Sequence, residues 1–302
     1  MSQTVAITGA TGFIGRRILH ALLARGIAVR ALTRRSVANL DAVTWVRGSL
    51  EDEASLARLV SGASAVIHCA GQVRGRSRVV FQRCNVEGTQ RLVQAAKAAG
   101  CERFLLFSSL AARYPHLSWY AESKFDAEVA ALQAAADMPL SVFRPTAVYG
   151  PGDSELQPVL SALLRGWLPR LGHADARLSF LHVEDLVQAT LRWLDAEAIH
   201  AVRYEINDGA KDGYGWKQLA AMGALIRGGP VRLIGVPTAL LLQLSRLNLA
   251  WHRLAGGEPM LTPSKVNELI HPDWSSSNRH ISKDLGWYPA IELEHALRER
   301  LF

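Results

Sequence analysis

Val5-Ala6-Ile7-Thr8-Gly9-Ala10-Thr11-Gly12-Phe13-Ile14-Gly15 decides how this chain folds. The first three residues form a short apolar, β-prone run. Three glycines follow at a fixed period of three. Beyond them Ile14, Ile18, Leu19, Leu22 and Leu23 fall on one helical face, and Arg25-Gly26 ends the pattern. The order is strand, glycine turn, helix. Backbone N–H groups in such a turn can approach a pyrophosphate, and the helix N-terminus adds positive potential. A plain tight βα turn needs one glycine, not three, so the stretch reads as a dinucleotide cradle.

Working outward, the second strand, Ala28 to Leu32, runs into Thr33-Arg34-Arg35. No acidic residue stands there to accept bonds from a ribose 2′-hydroxyl. Two guanidiniums stand where a 2′-phosphate would lie, which favours NADP and leaves NAD possible. The bland alternative is a pair of solvated arginines at a strand end. Val43–Val46 and Ala65–His68 read as the next strands, with a helix over Glu53–Val60 between them. Cys69-Ala70-Gly71 is a small-residue loop where backbone can lie against a cofactor. A helix over Val79–Ala99 and a strand over Arg103–Phe107 follow. This alternation predicts a Rossmann-type α/β fold with a doubly wound parallel sheet.

Tyr120-Ala121-Glu122-Ser123-Lys124 places a phenol and an ammonium four residues apart, on one helical face. A phenol near pKa 10 is a poor acid or base at neutrality. A neighbouring ammonium stabilises its phenolate and is expected to lower that pKa. The alternative is an exposed helix pair with Tyr120 packed on the surface.

Composition narrows the function. The 302 residues are 49% hydrophobic and 20% charged, which fits one large α/β domain with a smaller appendage. The net charge of +7 comes mostly from scattered arginines, without a run of like charges. This disfavours nucleic acid and favours an anionic small molecule. Cys69, Cys84 and Cys101 have no metal-ligand spacing, and three unpaired thiols fit a reducing cytoplasm. His271, Asp273 and His280 likewise lack a recognisable metal spacing, so no metal is expected. Met1-Ser2-Gln3 is expected to leave no room for a signal peptide. The apolar Leu233–Trp251 stretch contains Gly235, Pro237, Gln243, Ser245, Arg246 and Asn248, too many interruptions for an integral membrane segment.

The motifs together resemble the extended short-chain dehydrogenase/reductase superfamily, which includes nucleotide-sugar epimerases and dehydratases, 3β-hydroxysteroid dehydrogenases and dihydroflavonol reductases. The resemblance rests on the Gly9, Gly12, Gly15 turn, Val66 to Gly71, Asn85-Val86-Glu87-Gly88-Thr89, Ser108-Ser109, Tyr120 to Lys124, Arg144-Pro145, Val148 to Gly152, and His182 to Leu186. It implies Tyr120 as proton donor or acceptor. Lys124 would hold the nicotinamide ribose, and Ser109, rather than Ser108, would orient the substrate carbonyl. Around the cofactor it implies Gly9, Thr11, Gly12, Phe13, Ile14, Gly15, Arg34, Arg35, Ser49, Leu50, Cys69, Ala70, Gly71, Asn85, Lys124 and Pro145.

Two departures stand out. Ser49 replaces the family's usual Asp at the adenine, and the stretch from Ser109 to Tyr120 is short for a sugar-modifying enzyme. His182 reads as a structural contact near the interdomain hinge. The resemblance implies an NADP-binding domain over 1–150 and 178–206 and a substrate domain over 151–177 and 207–302. It also implies a homodimer through the Val79–Ala99 and Trp119–Ala136 helices. Trp274 and Trp287 are expected to pack the small domain on the large one.

The expected activity is hydride transfer between a nicotinamide and the carbonyl or secondary alcohol of a small, lipophilic substrate, whose pocket the Leu233–Trp251 segment would line. The same segment could instead face a partner subunit or a membrane. One alternative is a nucleotide-sugar epimerase or dehydratase, with Arg177 on the sugar pyrophosphate. Another is a non-catalytic cofactor-binding sensor or assembly protein.

Overall fold

The computed structural model describes residues 4–38, 40–198 and 202–302. Met1 to Gln3, on which the signal-peptide expectation rests, lie outside them. Strands β1 (Thr4–Thr8), β2 (Ala28–Thr33), β3 (Val43–Arg47), β4 (Ala65–His68), β5 (Arg103–Phe107), β6 (Leu140–Pro145) and β7 (Arg203–Ile206) form one sheet in the order β7-β6-β5-β4-β1-β2-β3. Every neighbouring pair is parallel. The fold is therefore the expected Rossmann-type doubly wound α/β sheet.

Side-chain alternation explains the two layers. On β1, Val5 and Ile7 face one core with Ile18 and Leu22 of α1 (Phe13–Ala24), while Ala6 faces the other. That second core holds Leu56 and Leu59 of α2 (Glu53–Val60), Leu92 and Val93 of α3 (Gly88–Ala98), and Ala131 of α4 (Trp119–Ala135). The first core also takes Val187 and Trp193 of α6 (Val183–Asp195). Strand order reverses between β1 and β4, so a crevice opens at their carboxyl ends, where such sheets hold ligands.

A third core gathers Tyr149, Leu160, Leu163, Trp216, Leu219 and Leu293. It joins α5 (Gln157–Arg165), α7 (Trp216–Arg227) and α11 (Leu293–Glu299). It draws mainly on the segments assigned to the smaller domain. Ile281 and Leu285 of α10 (Arg279–Leu285), with Trp287, instead belong to the first core. Two further helices, α8 (Thr238–Ala255) and α9 (Pro263–Ile270), pack on each other.

One expected helix differs in detail. The Val79–Ala99 stretch divides into a turn at Arg78–Phe81, a π-helical turn at Gln82–Glu87, and α3. A π-turn inserts one residue into the helical ladder and often marks a functional site. Helix α5 stops at Arg165, because Gly166 takes φ 101° as its cap. Trp167–Leu171 then forms a strand beside Arg232–Val236.

Candidate active site

The cradle is built from β1, the turn and α1. Gly9 has φ 73°, and a Cβ there would lie 2.7 Å from the Ala70 nitrogen. A Cβ on Gly15 would lie 2.2 Å from the Gly9 carbonyl oxygen. These glycines thus let the turn, α1 and the β4 loop approach one another closely. Gly12 N–H closes the turn onto the Gly9 carbonyl at 2.9 Å. The first-turn N–H groups on Phe13, Ile14 and Gly15 have no intrahelical partner, no side chain caps them, and no acidic residue lies in that turn. This end of α1 therefore fits a pyrophosphate.

Arg34 and Arg35 are exposed at the carboxyl end of β2. Among the described residues neither forms an ion pair. Both guanidiniums thus remain available to a phosphate. Ser49 Oγ accepts from Glu51 N–H at 3.2 Å, so its lone pairs are partly used in a local turn. Leu50 is buried against Gly88, where a Cβ would lie 2.9 Å from the Leu50 Cβ. Pro145 ends β6 beside Ile206 of β7.

Cys69, Ala70 and Gly71 leave the end of β4. Burial pushes the Cys69 thiol well above its ordinary pKa, so it behaves as a small apolar group. A Cβ on Gly71 would lie 3.1 Å from Lys124 Nζ and 3.3 Å from Asn85 Oδ1. Asn85 sits in the π-turn with its amide already engaged. Its Oδ1 accepts from Gln72 N–H at 2.6 Å, while Nδ2 donates to the Gln72 carbonyl at 3.0 Å and to Ser123 Oγ at 2.9 Å. Its side chain fastens the 71–72 loop to α4.

Tyr120 lies in the first turn of α4, which Ser118 caps by accepting from Ala121 N–H at 2.9 Å. Lys124 is buried one turn on. Its Nζ is 6.0 Å from the Tyr120 ring centre and donates to the Phe107 carbonyl at 2.9 Å. Burial lowers the Lys124 pKa. The expected lowering of the Tyr120 pKa is reversed: burial pushes it up to about 12. The hydrogen bond with the Ser109 side chain pulls it down, and the Glu268 carboxylate pushes it up. The Lys124 ammonium is turned toward Phe107, which weakens its hold on the phenol.

The two serines separate cleanly. Ser108 Oγ donates to Glu128 Oε1 at 2.5 Å. Glu128 is fully buried and also receives Arg144 Nη2 at 2.6 Å and Arg203 Nε at 2.7 Å. Ser108 is thereby committed to an internal ion network, while Ser109 lies beside Tyr120.

The cleft over Tyr120 has walls that the sequence did not reveal. Phe81 meets the Tyr120 ring edge-on at 6.4 Å, and Val73, Pro259 and Met260 line the opening. Lys265 Nζ lies 5.3 Å from the Tyr120 ring centre and pairs with Glu268 at 2.6 Å. Ser118 donates a short hydrogen bond to the same carboxylate. Glu268, Lys265 and Ser118 were missed because residues some 150 positions apart share no local pattern; only the Lys265–Glu268 spacing of three was legible. None of the Leu233–Trp251 residues lines this cleft. His182 accepts from Glu184 N–H at 3.3 Å and donates to the Leu301 carbonyl at 3.0 Å, a structural cap. Trp274 packs on Tyr114 at 5.7 Å, and Trp287 is buried in the first core.

A glycine cradle at the switch point of a parallel sheet, opening onto a cleft with Ser, Tyr and Lys, is the architecture of an NAD(P)-dependent oxidoreductase of the extended short-chain dehydrogenase/reductase type. A model of the NAD dependent epimerase/dehydratase family matches residues 5–206, and the chain belongs to that family. It is 37% identical over 279 residues to a ceramide reductase of Caulobacter vibrioides, covering 91% of this chain and 86% of that one. It is 27% identical over 331 residues to a 2-alkyl-3-oxoalkanoate reductase of Stenotrophomonas maltophilia, covering 97% of each. Among solved structures, UDP-glucose 4-epimerase of Thermotoga maritima superposes with a TM-score of 0.73 at 20% identity, covering 98% of this chain and 96% of that one. At that identity the likeness concerns the fold alone.

Proposed function

We propose that the protein is an NADPH-dependent reductase of a long-chain lipid ketone, with residues 151–177 and 207–302 forming its substrate side. The observation that carries the chemistry is the meeting of Ser109, Tyr120 and Lys124 beside the glycine cradle. The observation that carries the substrate class is the 37% identity to a ceramide reductase across nine-tenths of the chain. A nicotinamide cofactor, when bound, would supply the hydride for the carbonyl carbon. Ser109 Oγ–H holds the carbonyl oxygen, and the Tyr120 phenol gives that oxygen its proton. Lys124 binds the ribose and stabilises the phenolate left behind. Gly9, Thr11 and Gly12 with the α1 N-terminus hold the pyrophosphate, and Arg34 with Arg35 holds the 2′-phosphate. Two copies pair through α3 and α4.

NADPH oxidation assayed with a long-chain oxo-amide lipid, a 3-oxoalkanoate series and UDP-sugars tests the reading. Turnover should rise with acyl length, since each buried methylene contributes about 0.8 kcal/mol. A response to UDP-sugars alone would transfer the protein to the epimerases. A second prediction concerns the cofactor. Arg34→Asp removes a phosphate ligand and places an acceptor near the ribose 2′-hydroxyl. It should weaken NADPH binding by about 10- to 100-fold, the worth of a charge-assisted hydrogen bond. NADH binding should hold or improve in the same fluorescence titration. Unchanged NADPH affinity would remove Arg34 from the site.

A further inference from the structure

Helix α8 carries a second apolar face that the fold does not use. Leu241, Ser245 and Leu249 are buried against the body of the protein. Leu240, Leu244, Leu247, Trp251 and Leu254 are exposed by 45%, 48%, 68%, 67% and 89%. Their positions follow the 4-3-4-3 rhythm of one helical stripe, distinct from the buried one. Single exposed apolar residues are ordinary, but a continuous stripe along a helix of about 27 Å marks a contact surface.

The charge around the stripe identifies what covers it. No Asp or Glu occurs between Asp212 and Glu258, whereas Lys217, Arg227, Arg232, Arg246 and Arg253 do. Arg246 and Arg253 are exposed on α8 itself, and among the described residues neither forms an ion pair. An anionic phospholipid surface takes both features together: acyl chains receive the leucines and Trp251, and headgroup phosphates receive the arginines. Among the described residues no helix is long and apolar enough to cross a membrane, so α8 would lie in the interface plane.

We propose that α8 seats the protein on the headgroup–acyl boundary of an anionic bilayer, with the cleft mouth beside it. The C-terminal end of α8 adjoins the active-site wall. Arg76 Nη1 reaches the His252 carbonyl at 3.5 Å, beside the loop that gives Val73 and Gly75 to the cleft. Pro259 and Met260, which also line the cleft, follow α8 closely in sequence. A lipid ketone could then pass from the leaflet to Tyr120 without crossing water. That delivery step rests on the lipid-ketone reading; the docking does not.

Co-sedimentation with phosphatidylglycerol/phosphatidylcholine vesicles tests the docking without any turnover. The wild type should pellet with these vesicles, bind pure phosphatidylcholine about tenfold more weakly, and release in high salt. The Leu247→Glu/Trp251→Glu double variant should lose about tenfold in binding and keep wild-type turnover of a short, water-soluble ketone. Quenching of wild-type tryptophan fluorescence by acyl-brominated lipid should fall in Trp251→Phe. Failure of the wild type to bind anionic vesicles overturns the docking, as does undiminished binding by the double variant. So does a wild-type dimer that the double variant converts to monomer, since a second copy then covers the stripe. Vesicle binding without turnover of any ketone sustains the docking and overturns the reductase reading instead.

Discussion

Tyr120→Phe is expected to lower lipid-ketone turnover by about 10³-fold while NADPH affinity stays unchanged. Phenylalanine keeps the ring, so the edge-on contact with Phe81 at 6.4 Å survives. What disappears is one hydroxyl and its hydrogen bond with Ser109. The cradle on β1 and α1 is untouched, so binding and chemistry should separate. The sign of the pH dependence follows from the raised pKa. With its pKa pushed up to about 12, the phenol of the free protein stays protonated at neutral and moderately alkaline pH. Ketone reduction needs that proton, so it should show no alkaline loss from Tyr120 below that range. Alcohol oxidation needs the phenolate and should quicken as pH rises. Single-turnover NADPH oxidation, with cofactor titration in parallel, measures both effects. Wild-type turnover in the variant would leave Tyr120 a packing role only.

The parts of the molecule legible in sequence are those coded locally. The glycine turn, the β1–β5 alternation and the Tyr120–Lys124 pair all sit within one element or one turn, where spacing translates directly into geometry. Gly9 and Gly15 carry their reason in their spacing, and the structure adds only the atoms that a Cβ would strike. What stayed hidden arises from distant segments meeting. No pattern around Tyr120 announces Glu268, which reaches it through α9. Lys124 alone predicts a lowered Tyr120 pKa, and the direction reverses once burial and the Glu268 carboxylate of α9 are added. Asn85 shows the same limit: its motif was visible, but only folding reveals that Gln72 and Ser123 consume its amide. The apolar 233–251 stretch was legible as excess hydrophobicity. Which face stays outside depends on how α8 lies on α9, and sequence periodicity does not fix that.

Acid is expected to destabilise this protein through His68, a residue to which the sequence motifs assign no role. Its ring lies inside a single hydrogen-bonded chain behind the cradle. Ala70 N–H donates to Thr8 Oγ1 at 3.2 Å, and the Thr8 hydroxyl donates to His68 Nδ1 at 2.6 Å. His68 Nε2–H donates to Thr89 Oγ1 at 2.9 Å, and the Thr89 hydroxyl donates to the Asn85 carbonyl at 2.5 Å. This assignment uses each hydroxyl once as donor and once as acceptor, and it requires a neutral imidazole protonated on Nε2. A second ring proton on Nδ1 would remove the acceptor of the Thr8 hydroxyl and make Thr8 Oγ1 accept twice. Burial and then the nearby Lys124 charge push the pKa down from 6.5 to about 3. Below pH 6.5 the unfolded chain therefore binds a proton that the folded chain refuses. The resulting stability is complete above the unfolded pKa and is lost as pH falls toward the folded one. The slope is about 1.4 kcal/mol per pH unit, so about 2 kcal/mol is gone by pH 5, a sizeable share of ordinary domain stability. His182 and His271 are also shifted down and add to the loss. Urea unfolding of the wild type and of His68→Asn from pH 7.5 to 5 isolates the contribution of His68, because only the wild type should show its share of the slope. Histidine ring ¹⁵N shifts supply the same answer without a variant: His68 should hold the Nε2–H neutral form at pH 5. A ring titrating near 6.5, or identical pH slopes for the two proteins, would show that this chain tolerates the second proton.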